Sequence, residues 1–193
     1  MNIDFLLVFI YSYFLGSIPF GLILTKLFLR EDIRKIGSGN IGATNVFRTG
    51  KKTLAIMTLL FDILKGYLTI YITSIYFNDL IYFAALICFI GHIYPAWLKF
   101  KGGKGVAVYL GTIIFLSLKC AVIFGLIWIL TLFIYKYSSL SSIISTLFVF
   151  VYSFFLNNFP LSLYLIITFL IMLYAHKENI VRLRNKTENK IKF

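Results

Sequence analysis

Apolar residues run almost unbroken through seven stretches of this chain, near residues 3–24, 53–77, 80–98, 106–118, 120–135, 142–156 and 161–175. A helix needs about 20 apolar residues to cross the hydrocarbon of a bilayer. The pattern therefore predicts an all-α integral membrane protein with seven transmembrane helices. The fourth stretch is short. Gly111, Ser117 and Lys119 are the main interruptions between residues 106 and 135, so the fourth and fifth stretches form either two spans or a re-entrant hairpin, which leaves five full spans.

The polar residues between these stretches give an orientation. Seventeen of the nineteen lysines and arginines fall in residues 26–52, residues 99–104, Lys136 and residues 177–192, which are alternate connections. Basic residues collect on the cytoplasmic side of a membrane, which predicts an N-terminus outside and a C-terminus in the cytoplasm. The opposite loops hold little beyond Asp4, Asp79, Lys119 and the Asn157-Asn158 turn. The first residues carry Asp4 and lack the basic stretch of a secretory signal, so residues 3–24 read as a retained span. No internal repeat, low-complexity tract or linker divides the chain, which predicts one polytopic domain over residues 1–193.

Composition agrees with a lipid environment. Hydrophobic residues make up 60% of the chain and aromatic residues 19%, with a mean hydropathy of +0.91, more apolar surface than a soluble domain of this size can bury. The formal net charge of +12 would suggest nucleic acid in a soluble protein. Here the charges lie between spans and read as topology signals, so no nucleic-acid partner is expected. Cys88 and Cys120 sit in apolar surroundings without metal-ligand spacing, as packing residues do.

Four polar segments carry candidate chemistry. Residues 37–52 read GSGNIGATNVFRTGKK and contain a literal G-x-G-x-x-G, with Asp62 near the distance of a dinucleotide fingerprint. That fingerprint requires a strand before it, whereas a basic amphipathic stretch precedes this one. What remains is a phosphate cradle. Glycines such as Gly42 expose backbone N–H groups, Ser38, Asn40, Thr44 and Asn45 add neutral hydrogen-bonding groups, and Arg48 adds a two-pronged cation. The other reading of these residues is a flexible solvated loop.

Residues 91–105 read GHIYPAWLKFKGGKG. Gly102, Gly103, Lys104 and Gly105 open a predicted helix whose N-terminus faces the cytoplasm, where free N–H groups and the helix dipole favour an anion. Lys104 supplies full charge and His92 lies just upstream, while Lys99 and Lys101 read as positive-inside markers. Residues 138–142 place Ser139 and Ser142 at the start of the sixth span, either as caps or as hydrogen-bond donors to a ligand. After the last span, His176, Asn179 and Arg182 share one helical face. Asp62 and Lys65, three residues apart inside an apolar stretch, are costly charges that belong in the bundle interior. They read as an ion pair ordering the helix or as part of the site.

Taken together, Ser17-Ile18-Pro19-Phe20-Gly21, residues 37–52, residues 91–105, Ser139-Leu140-x-Ser142 and His176-x-x-Asn179-Ile180-x-Arg182 closely resemble the bacterial acyl-phosphate:glycerol-3-phosphate acyltransferases, the PlsY family. The resemblance runs through nearly the whole chain. It implies transfer of a fatty acyl group from acyl phosphate to glycerol 3-phosphate, giving 1-acylglycerol 3-phosphate (lysophosphatidic acid) and inorganic phosphate in phospholipid synthesis. It also implies an enzyme of the bacterial plasma membrane, in contact with membrane lipids and without metal or cofactor. By position, Ser38, Asn40, Asn45 and Arg48 fall in its first motif, His92, Gly102, Gly103, Lys104 and Gly105 in its second, and His176 and Asn179 in its last. His176, Lys104, Asn179, Arg48 and Ser38 are the candidate catalytic residues. Asn40, Gly42, Thr44, Asn45, Arg48, His92, Gly102, Gly103, Lys104, Gly105, Ser139, Ser142 and Arg182 are the candidates for binding substrate phosphates.

An absence is informative too. The other large class of glycerolipid acyltransferases carries an aspartate five positions after its histidine, where this chain has Trp97 after His92 and Val181 after His176. For proton removal, His176 is the best protein base because imidazole titrates near neutrality. A substrate phosphate is its rival. The competing function is an anion or lipid transporter, since helix N-termini and buried charges also build carrier sites. Small size and the lack of an inverted repeat count against it.

Overall fold

The computed structural model describes residues 3–191, and among them every regular element is helical. Lys192, one of the basic residues of the last segment, lies outside the described residues. Ten α-helices follow in order: α1 Ile3–Ser17, α2 Phe20–Leu29, α3 Ala43–Phe47, α4 Lys52–Tyr76, α5 Ile81–Ile93, α6 Val106–Leu116, α7 Leu118–Tyr135, α8 Ser138–Ser153, α9 Phe159–Ala175 and α10 Lys177–Arg184. Four helical stretches are long and apolar enough to cross a membrane: 3–29, 52–76, 78–98 and 118–135. The α9–α10 pair, bent by 59°, makes a fifth if counted as one span. Large apolar side chains face outward, Phe155 and Phe159 at 78% and 77% exposure. Lipid is the solvent that accommodates such a surface.

The described residues divide into two compact units, one ending at residue 115 and the other beginning at residue 116. In the first, the stretch predicted as one span over residues 3–24 is broken between α1 and α2 at Ile18-Pro19 and continues to Leu29. Proline lacks the N–H that a helix interior needs, and its ring crowds the preceding turn. Helix α1 packs along α5, and α4 packs on α1, α2, α3 and α5. Helices α4 and α6 meet at glycines: a Cβ on Gly66 would lie 2.5 Å from the Val108 carbonyl oxygen, and one on Gly111 would lie 2.0 Å from that of Ile63. Small residues at such crossings let backbones approach where lipid offers no hydrophobic drive for association. Above them, Leu22, Ile33, Ile41, Val46, Leu54 and Ala55 form an apolar cluster that anchors the polar loop between α2 and α4.

In the second unit, α8 packs against both α7 and α9. Its inward face is unusually polar: Ser139, Ser141, Ser142, Ser145, Thr146 and Ser153 are buried. Several of these hydroxyls donate to carbonyls one turn earlier, as Ser142 does to Ser138 at 2.9 Å, so the apolar surroundings leave them satisfied. Helix α9 starts at Asn158, whose side-chain oxygen accepts from the Leu161 N–H at 3.1 Å. Phe150 stacks on Phe169, centroids 4.7 Å apart, to join α8 to α9. The break between α9 and α10 falls on His176.

Candidate active site

Each unit gathers one set of the residues singled out in the sequence. In the first, the loop over residues 33–48 is organised around Asn45, which is 2% exposed. Its Oδ1 accepts from the Ser38 N–H at 2.9 Å. Its Nδ2 faces the carbonyls of Ile33, Ile36 and Asn40 at 3.1, 2.9 and 2.9 Å. Asn45 thus builds the loop with both ends of its amide. Asn40 Oδ1 accepts from the Gly42 N–H at 2.9 Å, a side-chain turn that leads into α3. Gly37 has a φ of +56°, and a Cβ there would lie 2.4 Å from Asn45 Oδ1 and 3.3 Å from Arg48 Cδ, so Arg48 crosses over the glycine turn. Ser38 is exposed, while Asn40, Gly42, Thr44 and Arg48 are half-buried around it. Just before this loop, Asp32 holds Arg34 in a two-pronged pair with a shortest contact of 2.6 Å. The Arg34 hydrogen bond lowers the Asp32 carboxyl to about 2.

The glycine-lysine segment is folded by main-chain hydrogen bonds. The Gly102 and Gly103 N–H groups donate to the carbonyls of Ile93 and His92, each at 3.0 Å, so the segment runs back over the end of α5. His92 lies directly beneath: a Cβ at Gly103 would stand 2.1 Å from its Nε2. Gly105 takes a φ of +81° against the Phe89 ring and accepts the first turn of α6 from the Tyr109 N–H at 2.7 Å. Lys104 is half-buried between these glycines.

Asp62 and Lys65 form the expected ion pair, Nζ to Oδ1 2.7 Å, with both side chains 3% exposed. The contact is an ion pair by distance, although Oδ1 lies outside good hydrogen-bond geometry. Lys65 also donates to the Ile18 carbonyl at 2.6 Å and meets His92 Nδ1 at 2.9 Å. A lysine ammonium has no acceptor capacity, so Nδ1 of His92 accepts and its ring proton sits on Nε2, facing Gly103. Sequence reasoning paired Asp62 with Lys65 but did not connect either to His92.

In the second unit, His176 is 1% exposed at the α9–α10 break. Its Nδ1 lies 2.9 Å from the Met172 carbonyl, an acceptor only. Nδ1 is therefore the donor of this contact, so that in the neutral form of the ring the proton sits on Nδ1 and not on Nε2. Ser142 accepts from Trp128 Nε1 at 3.1 Å, a partner the sequence did not suggest. Ser139, Asn179 and Arg182 converge on one carboxylate, that of Glu188. Ser139 Oγ and Asn179 Nδ2 donate to Oε1 at 2.8 and 2.7 Å, and Arg182 Nε donates to Oε2 at 2.8 Å. Burial pushes the Glu188 carboxyl up, but the hydrogen bonds from Arg182, Asn179 and Ser139 together outweigh it and leave it below its ordinary value. The tail after Arg184 reads in sequence as a solvated or lipid-surface tether. In the fold, residues 187–191 instead return to the start of α8, where the Ile191 N–H donates to the Lys136 carbonyl at 2.8 Å.

Chains of known kind share this architecture. Residues 6–186 match the family model described as glycerol-3-phosphate acyltransferase. The glycerol-3-phosphate acyltransferase of Pelagibacter ubique is 50% identical over 189 residues, covering 98% of each chain. That of Brucella anthropi is 48% identical over 183 residues, 94% of this chain and 90% of the other. Among solved structures, the glycerol 3-phosphate form of PlsY, an integral membrane glycerol 3-phosphate acyltransferase, superposes with a TM-score of 0.92 at 35% identity, covering 97% of this chain and 96% of the other. Its lysophosphatidic acid form gives 0.88 at 34% identity, covering 97% and 95%. This chain is a multi-pass membrane protein that belongs to the glycerol-3-phosphate acyltransferase family.

Proposed function

We propose that this protein transfers a fatty acyl group from acyl phosphate to glycerol 3-phosphate, releasing lysophosphatidic acid and inorganic phosphate. The observation that carries the reading is family membership along nearly the full chain, joined to a polar apparatus suited to two phosphate-bearing substrates. In the transfer, a hydroxyl oxygen of glycerol 3-phosphate attacks the carbonyl carbon of acyl phosphate. The new C–O bond forms, the bond from that carbon to the phosphate oxygen breaks, and phosphate leaves with the electron pair. The hydroxyl proton passes to His176 Nε2 or to a phosphate oxygen.

Each motif has a part in that chemistry. Arg48 and Lys104 supply the positive charge that phosphates need and Ser38 a hydroxyl donor, while Asn45 and Asn40 hold the loop that carries Ser38 and Arg48. Hydrogen bonds to charged groups contribute about 1.5–3 kcal/mol each. The same donors stabilise the oxyanion that develops on the carbonyl as the hydroxyl adds. His92, with Nε2–H beneath Gly103, supports the glycine-lysine turn from below. Apolar helix surfaces give the acyl tail a path from the bilayer.

The enzyme acts as one polytopic domain in the bacterial plasma membrane, the inner membrane of a two-membrane cell. It has an outside N-terminus, seven spans or five with a re-entrant pair over residues 106–135, and a site facing the cytoplasm. The distribution of lysine and arginine supports this arrangement. A cysteine introduced at Asn157 should be modified only from the outside, and modification only from the cytoplasm overturns the topology. The donor is tested by offering acyl phosphate and acyl-CoA separately to one preparation. Turnover with acyl phosphate alone is expected, and turnover with acyl-CoA alone rejects the assignment.

A further inference from the structure

The Glu188 carboxylate is 5% exposed and accepts from three side chains on two separate elements, Ser139 at the start of α8 and Asn179 and Arg182 on α10. It is delivered by a short strap tied at both ends. The Thr187 N–H donates to the Arg182 carbonyl at 2.8 Å, the Ile191 N–H donates to the Lys136 carbonyl at 2.8 Å, and Ile191 is buried. Lys190 Nζ lies over the Tyr137 ring, 5.5 Å from its centroid. Glu178, the other acid near Arg182, is 78% exposed and 3.6 Å away, so it cannot substitute for a buried carboxylate.

These contacts decide the orientation of two groups in the proposed site. An asparagine amide has a donor end and an acceptor end. With Nδ2 on Glu188, Asn179 Oδ1 is turned the other way, and its plane is set. The Arg182 Nε–H is likewise committed, which fixes the plane of the guanidinium. Without the carboxylate, the amide is free to reverse and the guanidinium to swing, and a misplacement of about 1 Å near reacting groups costs up to about a hundredfold in rate.

The geometry points to Glu188 as a positioning residue for acyl transfer, holding Asn179, Arg182 and Ser139 in their working arrangement from the C-terminal strap. This rests on the reading that Asn179 and Arg182 serve the acyl-transfer site. It differs from a role as an occupant that phosphate displaces, in which loss of the carboxylate would open the site.

The experiment compares wild type, Glu188→Gln, Glu188→Asp and Asn179→Ala in lipid nanodiscs, measuring kcat, KM for both substrates and the thermal unfolding midpoint. Glu188→Gln is expected to unfold near the wild-type temperature and to lose about tenfold or more in kcat, with both KM values within about twofold. Glu188→Asp, which keeps the charge, should recover part of the turnover. Wild-type or increased turnover in Glu188→Gln, with Asn179→Ala impaired, overturns the positioning role. So does a loss of turnover that tracks the loss of folded protein across both Glu188 variants. Wild-type kinetics in Asn179→Ala instead overturns the site reading on which the inference rests.

Discussion

Lys65 Nζ stands 2.9 Å from His92 Nδ1, and this contact links a buried ion pair inside α4 to the glycine-lysine turn before α6. The ammonium is held at the same time by Asp62 and the Ile18 carbonyl. Removing one member of a buried pair leaves the other uncompensated and costs about 3–5 kcal/mol. Lys65→Met should therefore unfold at a clearly lower temperature in detergent. Lys65→Met with Asp62→Leu should recover most of that loss. Equal stability of Lys65→Met and wild type shows that the pair does not hold the helix.

Gly103 tests what His92 supports. A Cβ at Gly103 would meet His92 Nε2 at 2.1 Å, whereas one at Gly125 in α7 meets nothing within 4 Å. Gly103→Ala should lower kcat/KM by about tenfold or more, because Lys104 next to it shifts with the turn. Gly125→Ala should keep full activity and gain up to about 1 kcal/mol of stability from its better helix propensity. Full activity in Gly103→Ala means the turn tolerates a displaced His92.

Arg48 and Lys104 are expected to act on phosphate. With about 1.5–3 kcal/mol per charge-assisted hydrogen bond, Arg48→Ala and Lys104→Ala should each lose roughly tenfold to a hundredfold in catalytic efficiency. Steady-state kinetics with both substrates measures this. Unchanged kinetics in two folded variants places the phosphates elsewhere.

The strap should loosen in acid. The Glu188 carboxyl titrates below its ordinary value in the folded protein. Its stabilising contribution is therefore whole above the usual glutamate range near 4.3 and is lost as pH falls through the lower native value. Amide exchange at Ile191, corrected for intrinsic rate, should be protected at neutral pH and should lose protection only as pH falls beneath the usual glutamate range. Protection that persists unchanged to low pH removes the carboxylate from the latch.

Much of this arrangement is legible in the sequence. Lys51-Lys52 and the Gly102–Gly105 run mark helix starts because charge and glycine interrupt long apolar stretches, and Asp62 finds Lys65 because three residues span less than one helical turn. Pro19 interrupts the helix between α1 and α2, yet residues 3–29 remain one membrane-crossing stretch, as the hydropathy pattern suggests. Other features depend on contacts between distant residues. Asn45 has the same chemistry on paper as Ser38 and Thr44, and only the fold turns its amide inward to build the loop. Lys65 meets His92 across 27 positions, and Ser139 meets Glu188 across 49. An acid in a lysine-rich tail gives no periodic signal of its buried destination.

The central claim is acyl transfer, and the most direct measurement is product formation by the purified protein in defined lipid vesicles supplied with acyl phosphate and glycerol 3-phosphate. The account predicts lysophosphatidic acid and inorganic phosphate in equal amounts, with His176→Gln retaining substrate affinity and losing most turnover if its Nε2 takes the proton. Movement of glycerol 3-phosphate or lipid across the vesicle membrane without either product contradicts it.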